Sequence, residues 1–139
     1  MIQLITSDNK IIYELEKSEL SPDYRSVLME AISYHIDLAG LLVESENIDN
    51  IVWEGINMCN ITFRNCSMKR NEFIECFGKG LCFDSCDLTS LKIKKSNLNE
   101  LHISNSNLSL LSFRNSCSCN TFIWYTLHTF QTIFVIYFV

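Results

Sequence analysis

Leu81-Cys82-Phe83-Asp84-Ser85, Cys86-Asp87-Leu88-Thr89-Ser90, Leu91-Lys92-Ile93-Lys94-Lys95 and Ser96-Asn97-Leu98-Asn99-Glu100 are four consecutive five-residue words of one kind. Each has an apolar centre (Phe83, Leu88, Ile93, Leu98) and a polar or charged end. A helix repeats every 3.6 residues and a strand every 2, so neither gives this register. Stepping outward by five in both directions, the centres run Leu38, Val43, Ile48, Trp53, Met58, Phe63, Met68, Phe73, Gly78, Phe83, Leu88, Ile93, Leu98, Ile103, Leu108, Phe113. Fifteen of these sixteen are large and apolar, and Gly78 is the one that is not. A short repeat held at fixed length over such a distance marks a solenoid.

The other columns divide by chemistry. Two residues before the centre, the chain is mostly apolar or small, as at Ile51, Ile56, Ile61, Cys66, Cys76, Leu81 and Cys86. The column just before the centre is polar over its second half, with Asp87, Asn97 and Asn107. The column after the centre is mostly polar, with Glu44, Asp49, Glu54, Arg64, Lys69, Lys79, Asp84 and Lys94. The last column collects turn formers and charges, among them Gly40, Asn50, Gly55, Asn60, Gly80 and Ser85. Two inward columns, three outward ones and turn formers in one fixed place describe a chain that turns a corner every five residues.

Cys86-Asp87-Leu88, Ser96-Asn97-Leu98 and Ser106-Asn107-Leu108 come near a loose Ala-(Asp/Asn)-Leu-X-X consensus. In these words, and in the unbroken register of sixteen repeats over about residues 36–115, the chain resembles the pentapeptide-repeat family. That resemblance implies an all-β solenoid, a right-handed quadrilateral β-helix with four repeats per coil and about four coils. At about 4.8 Å between stacked strands the rod is on the order of 20 Å long. The sequence departs from the family in the inward column two before the centre, which is usually small. Here it alternates Leu81, Cys86, Leu91, Ser96, Leu101, Ser106, Leu111, a rhythm of ten laid over the rhythm of five. Four sides per coil would stack Leu81 on Leu101 and Leu91 on Leu111, with Cys66 under Cys86 and Cys76 on the opposite side. Large and small residues then share a narrow interior without overpacking. Gly78 is the flaw: with Gly80 it can allow a bulge or a kink, and Phe77 can swing inward to replace the missing side chain. The reading preferred is a tolerated irregularity, ahead of a local protrusion used for recognition.

Residues 1–35 read as a cap. Residues 2–6 and 11–15 are apolar and β-prone around a turn at 7–10, a short hairpin. Ser21 and Pro22 suit the start of a helix and Asp23 its first turn, so the reading predicts an amphipathic helix over 22–34 with Val27, Leu28, Ala31 and Ile32 on one face. The repeats take 36–117. Residues 118–139 form an apolar tail without Asp, Glu, Lys or Arg. It has several readings: a cover for the last coil, a homodimer contact, a membrane anchor through 121–139, or the product of a longer array cut out of register.

Composition bounds the function. The net charge of −5 lies mostly in residues 1–37, where seven Asp/Glu face three Lys/Arg; residues 38–118 hold nine against eight. No basic patch is large enough to point to direct nucleic-acid binding. Seven Cys and no leading basic-then-apolar segment suggest reduced thiols in a cytoplasmic protein. His35, His102 and His128 are far apart, Cys117-Ser118-Cys119 lacks a second ligand pair, and no phosphate loop or nucleophile motif occurs. The expectation is therefore no enzyme, no cofactor and no metal. It is a protein-interaction module whose partner-binding candidates are the acidic cluster Glu44, Glu46, Asp49 and Glu54. The resemblance adds a specific possibility, modulation of DNA gyrase or another topoisomerase by DNA mimicry. It also adds an alternative, a membrane-associated or secreted bacterial effector that uses the rod as a targeting surface.

Overall fold

The computed structural model describes residues 1–15, 22–124 and 135–137. Its organising feature is a corner. From His35 to Asn120 every fifth residue has a positive φ, between 50° and 82°. An L-residue pays for that left-handed conformation with a steric penalty that Gly escapes and Asn tolerates. Gly40, Asn50, Gly55, Asn60, Asn65, Gly80, Asn105, Asn115 and Asn120 fill half of these corners. This is why the turn formers of the sequence sit in one column.

The elements follow in chain order. They are β1 (Ile2–Ile5), β2 (Ile11–Leu15), α1 (Tyr24–Ser33), β3 (Leu42–Glu44), β4 (Val52–Glu54), β5 (Thr62–Arg64), β6 (Glu72–Ile74) and β7 (Phe77–Lys79). Then come β8 (Cys82–Asp84), β9 (Lys92–Lys94), β10 (Asn97–Asn99), β11 (His102–Ser104), β12 (Ser112–Arg114), β13 (Phe122–Trp124) and β14 (Val135–Tyr137). The strands stack in parallel as a β-solenoid of about four turns. Thr62 pairs with Cys82 and Cys82 with His102, twenty residues apart, so one turn holds four five-residue sides. Side one carries β3, β5, β8, β11 and β13 as one sheet, and side three carries β4, β6, β9, β12 and β14 as another. Side two (46–50 and its successors) and side four (56–60 and its successors) lie between them.

The rhythm of ten separates two kinds of side. On sides one and three the inward residue before each strand is mostly large: Leu41, Ile61, Leu81, Leu101 and Ile51, Leu91, Leu111, all buried. On sides two and four it is mostly small and polarisable. There Cys66, Cys76 and Cys86 donate S–H bonds to carbonyls of Arg64, Trp53 and Phe63 at 3.2–3.3 Å. Ser96 Oγ accepts from the Cys76 N–H and donates to the Lys94 carbonyl, and Ser106 does the same with Cys86 and Ser104. The outward Asp/Asn has a matching task. Asn47, Asn57, Asp87 and Asn107 each accept the N–H two residues on, an Asx turn that curls the backbone. These sides therefore join their neighbours mostly through single bridges instead of strands.

Aromatic centres fill the lower core. Trp53 meets Phe63 and Phe73 edge-on at 5.6 and 5.7 Å, and Phe63 and Phe83 stack at 5.3 Å. One inward polar residue, Asn71, is fully buried and accepts the Trp53 indole N–H at 2.7 Å while donating to the Ile48 carbonyl at 2.9 Å. Without it the indole N–H would lie in the core unpaired, at a cost of about 1–3 kcal/mol.

Gly78 makes neither a bulge nor a protrusion. Phe77–Lys79 pairs in register with Asn97–Asn99, and Met58 and Asn60 donate to the Phe77 and Lys79 carbonyls, so the ladder is unbroken. The backbone at Gly78 lies against the adjacent rung: a Cβ there would stand 2.6 Å from the Cys59 N and 2.9 Å from the Met58 carbonyl carbon. Its φ of 145° is closed to other residues as well. Phe77 does not swing into the gap. It keeps its outward register and is 50% exposed.

The N-terminal cap covers the first coil. β1 and β2 form an antiparallel hairpin, Thr6 bridges Leu41, and Leu4, Val27, Leu28 and Ala31 are buried with the solenoid core. The helix begins at Tyr24, later than 22, because Asp23 is its N-cap: Oδ1 accepts the Ser26 N–H at 2.8 Å. Ser21 lies outside the described residues. Arg25 donates to the Asp49 and Asn50 carbonyls and Tyr13 donates to Glu30, which fastens helix, hairpin and first coil together. At the other end the apolar column loses its regularity after Phe113, yet the backbone rhythm continues. β13 pairs with β11, and His102 stacks on Phe122 at 5.1 Å. β14 pairs with β12 at an offset of 23 residues (Ser112 with Val135) where the other pairings step by 20. Residues 125–134, the middle of the expected tail, lie outside the described residues.

Candidate functional site

The outward side chains of a solenoid form flat ladders, with like positions of successive coils stacked about 4.8 Å apart. On side one, Glu44, Arg64 and Asp84 are consecutive rungs of one ladder, with Arg64 2.9 Å from Glu44 and 3.7 Å from Asp84. On side two Lys69 lies 3.6 Å from Asp87, and on side four Lys79 lies 3.3 Å from Glu100. On side three Glu72 lies 3.9 Å from Lys92 and 3.8 Å from Lys94. These exposed pairs contribute little stability, but they cancel charge along most of the rod.

The four candidate carboxylates are neighbours in sequence and are not brought together as one patch. Glu44 is on side one, committed to Arg64. Asp49 is on side two, where its Oδ1 accepts from Ser67 Oγ at 2.6 Å and from the Lys69 N–H at 2.8 Å. Glu54 is exposed on side three. Glu46 occupies an inward position at the base of the small column, and burial raises its pKa, with Asp23 adding to the effect. Tyr24 of the cap lies beside it: burial, then Glu46, then Cys66 raise the Tyr24 pKa. Each corner turns the chain onto a new side, so residues five apart diverge while residues twenty apart meet.

The thiols divide the same way. Burial raises the Cys76 thiol to about 11 and Cys82 more modestly, and Cys86 is raised by its contact with Cys66 and by burial. These thiols are poor nucleophiles at neutral pH. Cys117 and Cys119 are exposed on side four with their sulfurs 3.5 Å apart. Among the described residues no group of three or more His, Cys, Asp or Glu is placed to hold a metal.

The surface feature on side four is Phe77, which the sequence offered as part of a recognition protrusion and which the structure sets outward on an unbroken ladder. It stands on side four in the column of Asp37, Asn57, Asn97 and Cys117, in an extended rung paired with Asn97–Asn99 that holds the ring outward. Beside it runs an open groove of about 290 Å³ lined by His35, Ile36, Asp37, Gly55, Ile56, Asn57 and Phe77. The available signal was the parity of the column: an outward position in every other rung is outward here too.

The fold and surface define a capped, four-sided β-solenoid with paired charges along its ladders and an outward aromatic at Phe77. No protein-family model matches the chain, and no curated protein matches it. Among the described residues no helix is long and apolar enough to cross a membrane.

Proposed function

We propose that this chain is a non-catalytic protein-interaction module of the pentapeptide-repeat type, and that its partner docks on side four around Phe77. The observation that carries this is a half-exposed aromatic ring fixed on a rigid β wall beside a groove with Asp37 on its rim. Aromatic side chains that can be fully desolvated are the commonest binding hot spots, and a rigid support lowers the entropic cost of using one. The partner presents an apolar pocket or side chain to Phe77 and a hydrogen-bond donor to Asp37. Mimicry of DNA would need a continuous negative face, and the alternating Glu44–Arg64–Asp84 and Glu72–Lys92 ladders weigh against a topoisomerase reading the rod as DNA. The pairing of β13 and β14 with the last coil favours the covering role of the tail over an anchor.

The test is quantitative affinity capture from the source cells with the full chain and with Phe77→Ser. A partner retained by the parent and lost by the variant, at unchanged melting temperature, supports the reading. Identical partner sets for the two proteins would overturn the Phe77 site. Gyrase supercoiling and quinolone-induced cleavage assays are expected to show no effect of the purified protein.

A further inference from the structure

Side three differs from the other sides in how its charge is arranged. Its two lower rungs, with the corner that follows, carry Glu54, Glu72 and Glu75. The next two rungs, β9 and β12, carry Lys92, Lys94, Lys95 and Arg114 and no carboxylate, with β14 beyond them. Arg70, at the corner entering the second rung, is bonded to Asn50 Oδ1 at 2.8 Å. Within the chain only Glu72 spans the boundary, and its contacts with Lys92 and Lys94 are long, 3.9 and 3.8 Å. Among the described residues Glu54, Glu75, Lys95 and Arg114 make no ion pair within 4.0 Å. A shallow depression of about 170 Å³ lies between Lys92, Lys94, Ser112 and Arg114. The face is thus a flat dipole, negative near the cap and positive away from it.

We propose that side three is a self-complementary interface on which a second copy of this chain docks antiparallel. The two-fold axis lies in the face, along the strand direction, midway between β6 and β9. That operation preserves position along each strand and reverses the order of rungs. Glu72 then meets the partner's Lys92, Glu75 meets the partner's Lys95, and Glu54 meets the partner's Arg114, each pair occurring twice. Every carboxylate of the face gains a cation, and no like charges oppose one another. A parallel arrangement about an axis along the rod would instead set acid on acid and base on base. The closed two-fold contact is the commonest way identical chains associate. The four charge-bearing rungs β4, β6, β9 and β12 cover on the order of hundreds of Å², below the roughly 800 Å² per partner of a standard stable interface. The pairing is therefore weak, driven by charge and suppressed by salt. It goes beyond the proposal for Phe77, which lies on side four, and stands or falls separately from it.

Sedimentation velocity on the full chain tests it. Raising NaCl from about 50 mM to about 500 mM should lower the dimer association constant at least about tenfold. Glu72→Lys with Glu75→Lys makes the face positive except at Glu54, and Lys92→Glu with Lys95→Glu makes most of it negative. Each variant alone should be monomeric, and an equimolar mixture should associate, because each then faces opposite charge. The fourfold exchange of all these residues restores the two inner cross-pairs with their signs reversed, leaves the Glu54–Arg114 pair as it was, and should dimerise alone, which guards against a folding defect in either half-variant. A parent monomeric at low salt, a mixture that fails to associate, or a dimer indifferent to salt and to both variants would overturn the proposal. The last result would place the contact elsewhere, as would binding of heparin by the parent in place of self-association.

Discussion

Sides one and three and sides two and four are made from the same five-residue word, yet they are different structures. On the first pair a large inward residue precedes a three-residue strand, and the sheet holds the coils together. On the second pair the residue is mostly small and hydrogen-bonding and mostly precedes an Asx turn, and single bridges do that work except at β7 and β10. The difference shows that the ten-residue rhythm is a division of labour. Bulk goes where the backbone is extended. Hydroxyls and thiols go where it curls and leaves amides and carbonyls to be satisfied.

The severest way to break the comparison is to ignore it. Leu98 is a buried centre on side four, and Leu98→Asp should cost about 4 kcal/mol or unfold the chain, since an unpaired charge enters the core. Asn99→Asp, one residue on and facing outward, should change stability by less than about 0.5 kcal/mol. Equal urea midpoints for the two would contradict the inward assignment.

Exchanging the small and large inward residues comes next. Ser106→Leu on side two overpacks the column and removes the acceptor for the Cys86 N–H, an expected loss of about 2–4 kcal/mol. Leu101→Ser on side one opens a cavity and should cost about 2–5 kcal/mol. The double variant should be no better than the sum of the two, because each side has its own requirement; strong mutual rescue, measured by a double-mutant cycle, would show the sides to be equivalent.

Asn71 sharpens the comparison from within, as the polar residue on a bulky side. Asn71→Ala leaves the Trp53 indole N–H unpaired and should lower stability by about 1–3 kcal/mol, with altered Trp fluorescence as a second readout. The smallest effect belongs to the corners. Leu110 holds φ at 59° and is 59% exposed, so neither its backbone nor its side chain suits the place. Leu110→Asn should raise stability by about 0.5–1 kcal/mol, visible as a higher melting temperature.

Much of this was legible in the residues. The run from Leu38 to Phe113 gave the solenoid, and the alternation of Leu with Cys and Ser gave the stacking of Cys66 on Cys86 and of Leu81 on Leu101. The candidate site was less legible, for a geometric reason. Glu44, Glu46, Asp49 and Glu54 look like a cluster along the chain, but corners at Ser45 and Asn50 send them to different sides. The charge dipole of side three is spread over residues 54 to 114 and becomes a pattern only when the sequence is folded by twenties. Phe77 was misread because a gap at Gly78 seemed to need filling by a side chain. The glycine is instead required by the backbone of the adjacent rung at Met58 and Cys59, which leaves no room for a Cβ and which no column of side chains records. Asn71 hid in an apolar column because its partner, Trp53, lies eighteen residues away.

The left-handed corner has one more consequence, which concerns how such a chain can change length. A corner fixes one residue in five, so insertions and deletions are permitted only in whole quanta. Removing five residues keeps every side chain facing the right way but turns all that follows by a quarter revolution, carrying an extended segment onto a curled side. Removing twenty deletes a storey and leaves the rest of the building aligned. The step of 23 between β12 and β14, against 20 elsewhere, is a remainder that fits neither unit. It falls beyond Asn120, outside the run of corners from His35 on which the count of five is kept.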